Sequence, residues 1–178
     1  WMNGVYLRQL SVDALTDILI PELEAPDGLP PSIARPLDRE FVTELVPLIH
    51  ERLKIIDRSQ LAEMLSYFFE DEIWLDTAEV MQKGMTEIST ASALESAAAA
   101  LESAEPFEAE SLEQRFRALC EELELKPRQL FGALRVSLTA RRIAPPLFDT
   151  IVAIGRDKSI NRIRRAAALL SDSSARTS

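Results

Sequence analysis

The chain has 178 residues, 47% of them hydrophobic, and a formal net charge of −9, a size that suits one large domain or two small ones. No apolar run approaches the ~18 residues of a membrane span, so no membrane partner is expected. Cys120 is the only cysteine and His50 the only histidine, which excludes an intrachain disulfide framework and leaves no cluster with zinc-ligand spacing.

Strand-like alternation is sparse and helical periodicity dominates. Ser11 ahead of Val12, Leu15, Ile18, Leu19 and Leu23 predicts a helix with a serine N-cap. Pro26, Gly28, Pro30, Pro31 and Pro36 mark a connector. Phe41, Leu45, Leu48 and Ile49 then form one apolar stripe. Leu61, Leu65, Phe68 and Phe69 form a second, after a cap at Asp57 or Ser59 and a tight turn over Lys54 to Arg58. Acidic residues 70–76 break the pattern, and Trp74 and Leu75 are expected to fold back onto this first bundle. An Ala-rich helix from about Thr90 to Ser103 follows, with Pro106 beyond its end.

Ser111 and Gln114 have capping-box spacing ahead of the stripe Leu112, Phe116, Leu119, Cys120 and Leu123, which makes Cys120 a core residue rather than a reactive thiol. Lys126 and Pro127 start the next helix, because proline at the first helical position loses no hydrogen bond. Its buried stripe is Leu130, Leu134 and Leu138. A short basic loop from Thr139 to Pro145 leads to a helix opened by Pro146 and closed by Gly155. A last helix is expected from about Lys158 to Leu170, with residues 171–178 as a disordered tail. These elements predict an all-α fold of two helical subdomains: 1–36 as a preceding segment and connector, 37–105 as the first bundle and 106–170 as the second.

Between Lys126 and Arg165 lie ten basic residues and two acids, in a chain that is otherwise strongly acidic. Such asymmetry gives one end an attractive field for a polyanion, although arginines that merely solvate helix faces would produce the same tally. No glycine-rich phosphate loop is present, and acidic pairs such as Glu121/Glu122 lack any catalytic constellation. RNA recognition needs cations for phosphates, forked donors for base edges, and flat or apolar surfaces for unstacked bases. Residues 126–148 supply all three: Arg135 on the helix, Arg141 and Arg142 in the loop, and Leu147 and Phe148 behind the stiff Pro145-Pro146 pair. Two alternatives stay open. Leu147 and Phe148 are either presented to RNA or core anchors, and Gly132 serves either close approach of a ligand or helix packing. A different class of function is an acidic adaptor that binds protein helices through Leu147, Phe148 and Trp74.

The segment KPRQLFGALRVSLTARRIAPPLF, with Arg135, Leu138, Thr139, Pro145, Leu147 and Phe148 in register, resembles the anticodon-binding region of bacterial glutamyl-tRNA synthetases. The opening Trp1-Met2-Asn3-Gly4-Val5-Tyr6-Leu7-Arg8 is similar to the segment that follows that family's catalytic half, and Ile154-Gly155, Ser159-Ile160 and Arg164-Arg165-Ala166 are similar to its closing helices. The resemblance implies an all-α anticodon-binding helix cage, preceded by the end of the stem-contact region. It also implies a class I ligase parent, whose ATP and magnesium sites lie in a catalytic domain upstream of Trp1, so this cytoplasmic piece should hold no cofactor of its own. The implied partner is tRNA(Glu), with tRNA(Gln) as an open second. The implied RNA-binding residues are Arg135, Thr139, Arg141, Arg142, Ala144, Pro145, Leu147 and Phe148. Ala144 stands where relatives often carry Thr or Ser, so a hydroxyl contact to a base is lost or replaced by a backbone group. Arg52 and Arg58 are the candidates for discriminating between the two tRNAs. The similar cage of class I lysyl-tRNA synthetases is a related alternative, which the Trp1 to Arg8 segment disfavours.

Overall fold

A computed structural model describes residues 4–177, with ten helices and no strand among them. The chain divides into two compact units, one ending at Glu70 and the other starting at Asp71. Trp1, Met2 and Asn3 of the opening motif lie outside the described residues. Among those described, no helix is long and apolar enough to cross a membrane.

The first unit holds α1 (Gly4–Leu7), α2 (Val12–Glu24), α3 (Arg39–His50) and α4 (Arg58–Phe69), with α2 packed on both α3 and α4. Ser11 Oγ accepts from the Ala14 amide at 3.2 Å and Asp57 Oδ1 from the Gln60 amide at 2.9 Å, so the caps fall where the local signals put them. Leu15, Leu19, Leu23, Leu45, Ile49, Leu61 and Leu65 are buried, and so are Val42 and Val46, which widen the α3 stripe. Each fully buried leucine contributes roughly 1.5–3 kcal/mol. The proline-rich connector is stapled by Arg35, which donates to the Leu29 carbonyl at 2.8 Å and the Ile33 carbonyl at 3.1 Å. His50 Nε2 lies 2.9 Å from the Leu7 carbonyl, so the histidine ties α3 to α1.

The second unit holds α5 (Thr77–Val80), α6 (Glu87–Glu102), α7 (Ala109–Glu122), α8 (Pro127–Thr139), α9 (Leu147–Ile154) and α10 (Arg156–Thr177). Here the expected subdomain boundary between residues 105 and 106 is corrected. The Ala-rich α6 belongs to the second unit, because it packs along α10. Ala93, Ala97, Ala98 and Leu101 on one helix, and Ile163, Ala166, Ala167 and Leu170 on the other, are buried, and small side chains let two backbones approach closely. In the segment that opens the second unit Ile73 is buried, whereas Trp74 is 81% exposed, contrary to the expected tuck. Its acidic neighbours are drawn outward to bases of α10: Arg165 reaches Glu72 at 3.0 Å and Lys158 reaches Asp71 at 3.5 Å.

Other ends differ from the sequence expectation in instructive ways. α7 begins at Ala109 with Glu108 as an N-cap that makes no side-chain bond, so Ser111 sits inside the helix; the Leu112 amide already bonds to the Glu108 carbonyl at 2.9 Å. Residues 171–177 continue α10 rather than fraying after Leu170, since Leu170 is buried and the Ser171 hydroxyl donates back to the Ala167 carbonyl. Pro127 does open α8, with Gln129 Oε1 accepting from the Lys126 amide at 3.0 Å. Gly155, at φ 89°, separates α9 from α10, a left-handed conformation that glycine adopts without steric cost.

Candidate nucleic-acid interface

The basic loop is aimed by the way α8 ends. Ala140 takes a left-handed conformation at φ 53°, and the buried Thr139 hydroxyl holds it there, donating to the Arg135 carbonyl at 2.8 Å while accepting from the Arg141 amide at 3.1 Å. Arg162 reinforces the same end: it is buried on α10 and donates through Nη1 to the Leu138 carbonyl at 2.7 Å. Arg162 thus satisfies a carbonyl that a helix C-terminus leaves open, and Thr139 ties the residue after the turn back to the last turn of the helix. They set the direction of residues 140–146. From that loop Arg142 and Ile143 point into solvent, Ile143 being 86% exposed.

Beside the loop lies an open groove of about 400 Å³ between α7, α8 and α9. Arg135 and Phe131 line it from α8, Arg117, Glu110 and Glu113 from α7, and Pro146 and Asp149 from the start of α9. Its floor is aromatic: Phe148 meets Phe131 edge-on at 5.1 Å and Phe116 at 5.8 Å, geometry that ring quadrupoles favour. Arg117 lies over the Phe131 ring at 5.8 Å, within cation–π range.

The predicted site residues therefore separate into three groups. Arg135 is half-buried and lines the groove, and Arg141 and Arg142 belong to the loop, as predicted. Thr139 is buried, with its hydroxyl engaged by backbone both as donor and as acceptor, so it faces the helix end and not solvent. Ala144, Pro145, Leu147 and Phe148 are buried, so the core-anchor alternative holds for Leu147 and Phe148, which shape the groove from beneath. Gly132 serves packing, because a Cβ there would lie 2.5 Å from Gln82 Oε1. Sequence reasoning missed Ile143, Phe131, Arg117 and Glu113. Exposure at a loop tip gives no periodic signal, and the groove residues become neighbours only when three helices meet.

The local excess of positive charge is also smaller than the sequence tally suggests. Arg142 pairs with Glu79 at 3.5 Å, Arg156 with Glu105 at 2.7 Å and Arg164 with Glu102 at 2.8 Å. Exposed pairs of this kind contribute only about 0–1 kcal/mol, so a phosphate can displace the long Arg142–Glu79 contact at little cost. Arg156 is different. It also donates to the Leu101, Glu102 and Ala104 carbonyls and stacks on Phe107 at 4.8 Å, closing the C-terminus of α6. In the first unit, Arg58 is held by Glu22 at 2.6 Å and Asp27 at 2.7 Å, and Arg52 is exposed. Of the three anchors an adaptor would use, Trp74 is exposed while Leu147 and Phe148 are not.

Among the described residues no group of three or more His, Cys, Asp or Glu side chains could hold a metal ion, and the positive-φ glycines, Gly84 and Gly155, stand alone in turns rather than in a phosphate-cradling run.

Residues 14–167 match the family model described as "Anticodon binding domain". Among curated proteins, the chain is 44% identical over 169 residues to the glutamate-tRNA ligase of Roseiflexus sp. (strain RS-1), covering 95% of this chain and 33% of that protein. It is 41% identical over 172 residues to that of Dehalococcoides mccartyi (strain ATCC BAA-2266), covering 97% and 35%. The chain thus spans about a third of the length of these relatives. The fold is similar to the crystal structure of a glutamate tRNA ligase from Elizabethkingia meningosepticum, with a TM-score of 0.76 at 21% identity, over 94% of this chain and 31% of that one.

Proposed function

The chain belongs to the anticodon-binding domain family, and on that premise we propose that it is the tRNA-recognition module of a glutamate-tRNA ligase, reading the anticodon of tRNA(Glu) through its second unit. The observation that carries this reading is the joining of Arg135, an aromatic-floored groove and the exposed Arg142-Ile143 tip at one side of α8. Anticodon bases splay out of an RNA loop and need apolar surface and forked donors together. Arg135 supplies N–H groups to a base edge or phosphate, Arg141 and Arg142 neutralise backbone phosphates, and Ile143 offers a face on which a base can rest. Thr139, Ala144, Pro145, Leu147 and Phe148 act from beneath, holding the loop and the groove wall.

The parent enzyme, in this proposal, activates glutamate with ATP and magnesium in an upstream catalytic domain and works in the cytoplasm; this chain supplies binding and no chemical step. The glutamate-ligase relatives support glutamate over the lysyl alternative. tRNA(Gln) is a second partner only if the module tolerates a changed anticodon. Arg135→Ala is expected to weaken binding by about 1–3 kcal/mol and relax discrimination at one anticodon position, measured by titration with anticodon stem-loop variants. An equal loss for every anticodon would make Arg135 a phosphate contact instead.

A further inference from the structure

Trp74 has no role in anticodon reading as described so far. With Ile143 it is one of the two most exposed large apolar side chains among the described residues, at 81% and 86%. The two flank one ion pair. Ile143 follows Arg142, and Arg142 reaches Glu79 on α5, a few positions after Trp74; chain length keeps Trp74 within about 18 Å of Glu79. α5 packs on α8, yet neither it nor Trp74 lines the groove between α7, α8 and α9. A single exposed apolar residue is common, but here the surrounding charges select an occupant. The nearby carboxylates are already engaged: Asp71 with Lys158 at 3.5 Å, Glu72 with Arg165 at 3.0 Å, and Asp76 with the Ala78 amide at 2.9 Å. A basic protein partner would have to break those contacts to gain its own. The uncharged face of an unstacked base leaves them intact.

We infer that Trp74 is a stacking platform for one unpaired loop nucleotide outside the anticodon, on the α5 side of the basic tip and apart from the groove. An indole stacks on any base, because every base has a π-face, so this contact contributes affinity without reading sequence. Arg142, released from Glu79, supplies the nearby cation for the RNA backbone. The inference rests on the anticodon-binding reading and adds to it a contact that is indifferent to the anticodon.

Substitution at so exposed a position should leave folding intact, which a far-UV spectrum checks. Trp1→Phe makes Trp74 the only tryptophan, so its emission reports the contact directly. The test takes this parent, and Trp74→Ala and Trp74→Phe made in it, with affinity read from the anisotropy of a labelled RNA at two salt concentrations. The RNAs are the tRNA(Glu) anticodon stem-loop, the same loop with its anticodon changed, and loops with one abasic nucleotide outside the anticodon. Trp74 emission should be quenched at saturation. Trp74→Ala should bind both anticodons roughly tenfold more weakly, with the salt dependence unchanged because no phosphate contact is lost, and Trp74→Phe should keep most of the affinity. One abasic loop should weaken the parent to the same extent and cost Trp74→Ala nothing further. Unchanged emission at saturation, or full affinity in Trp74→Ala, would overturn the inference and leave the anticodon reading standing wherever the parent still prefers its anticodon. A loss in Trp74→Ala confined to one anticodon would overturn it too, by placing the stacked base within the anticodon. Equal binding of both anticodons by the parent would instead sink the anticodon reading, and the inference with it.

Discussion

The C-terminal turn of α8 is held by two side chains: Thr139 accepts from the Arg141 amide and donates to the Arg135 carbonyl, and Arg162 donates to the Leu138 carbonyl in a buried bond. Losing one such bond typically costs about 1–3 kcal/mol. Thr139→Val is therefore expected to lower stability by roughly that amount, measured by urea unfolding, whereas Thr139→Ser should be nearly neutral. A threonine that contacted RNA would give a different pattern: unchanged unfolding, with a loss of affinity. Cys120 makes a separate point. It is buried on α7, and burial pushes its thiol above the ordinary range, so it should be alkylated at neutral pH only as fast as the protein opens. Rapid labelling of the native state, followed by mass spectrometry, would contradict its place in the core.

At the scale of elements, α8 is positioned by the segment that follows α5. Gln82 donates its side-chain amide to the Glu79 and Val80 carbonyls at 3.1 and 3.0 Å, with its carbonyl oxygen over Gly132, and Gln129 donates to the Lys83 carbonyl at 3.2 Å. Gly132→Ala should dislodge Gln82. In a Gln82→Ala background the same change should instead stabilise by about 1 kcal/mol, the difference in helix propensity. A double-mutant cycle measures that coupling directly, and additive effects would show that Gln82 does not constrain the position. Helix ends were legible in the sequence where their cause is local, as at Ser11, Asp57, Pro127 and Gly155. They were misread where tertiary packing decides. α6 carries no local mark of joining α10, and the start of α7 does not depend on the Ser111 hydroxyl. Phe131 and Arg117 are fourteen positions apart, a spacing with no meaning until α7 and α8 cross.

For the whole molecule, the division at residues 70 and 71 makes the second unit the part with the candidate interface. Its core and the ion pairs of its basic residues are drawn from within it. A chain of residues 71–178 is therefore expected to fold alone, with a helical spectrum and a single cooperative thermal transition; a broad, non-cooperative melt would contradict that. The acidic balance of the sequence, which read alone disfavours nucleic acid, is met here by selective pairing. Acids from residues 71–105 engage the bases of α10, while Arg142 at the loop tip stays exposed with only a long contact to Glu79.

The most direct test of anticodon recognition is a titration of this chain against tRNA(Glu), the same tRNA with its anticodon exchanged, and an unrelated tRNA, at low and high salt. The anticodon-reading module described above predicts tighter binding to the native anticodon at both salts, with overall affinity falling as salt rises. Equal affinity for all three RNAs, lost together at high salt, would leave a merely basic surface and contradict the account.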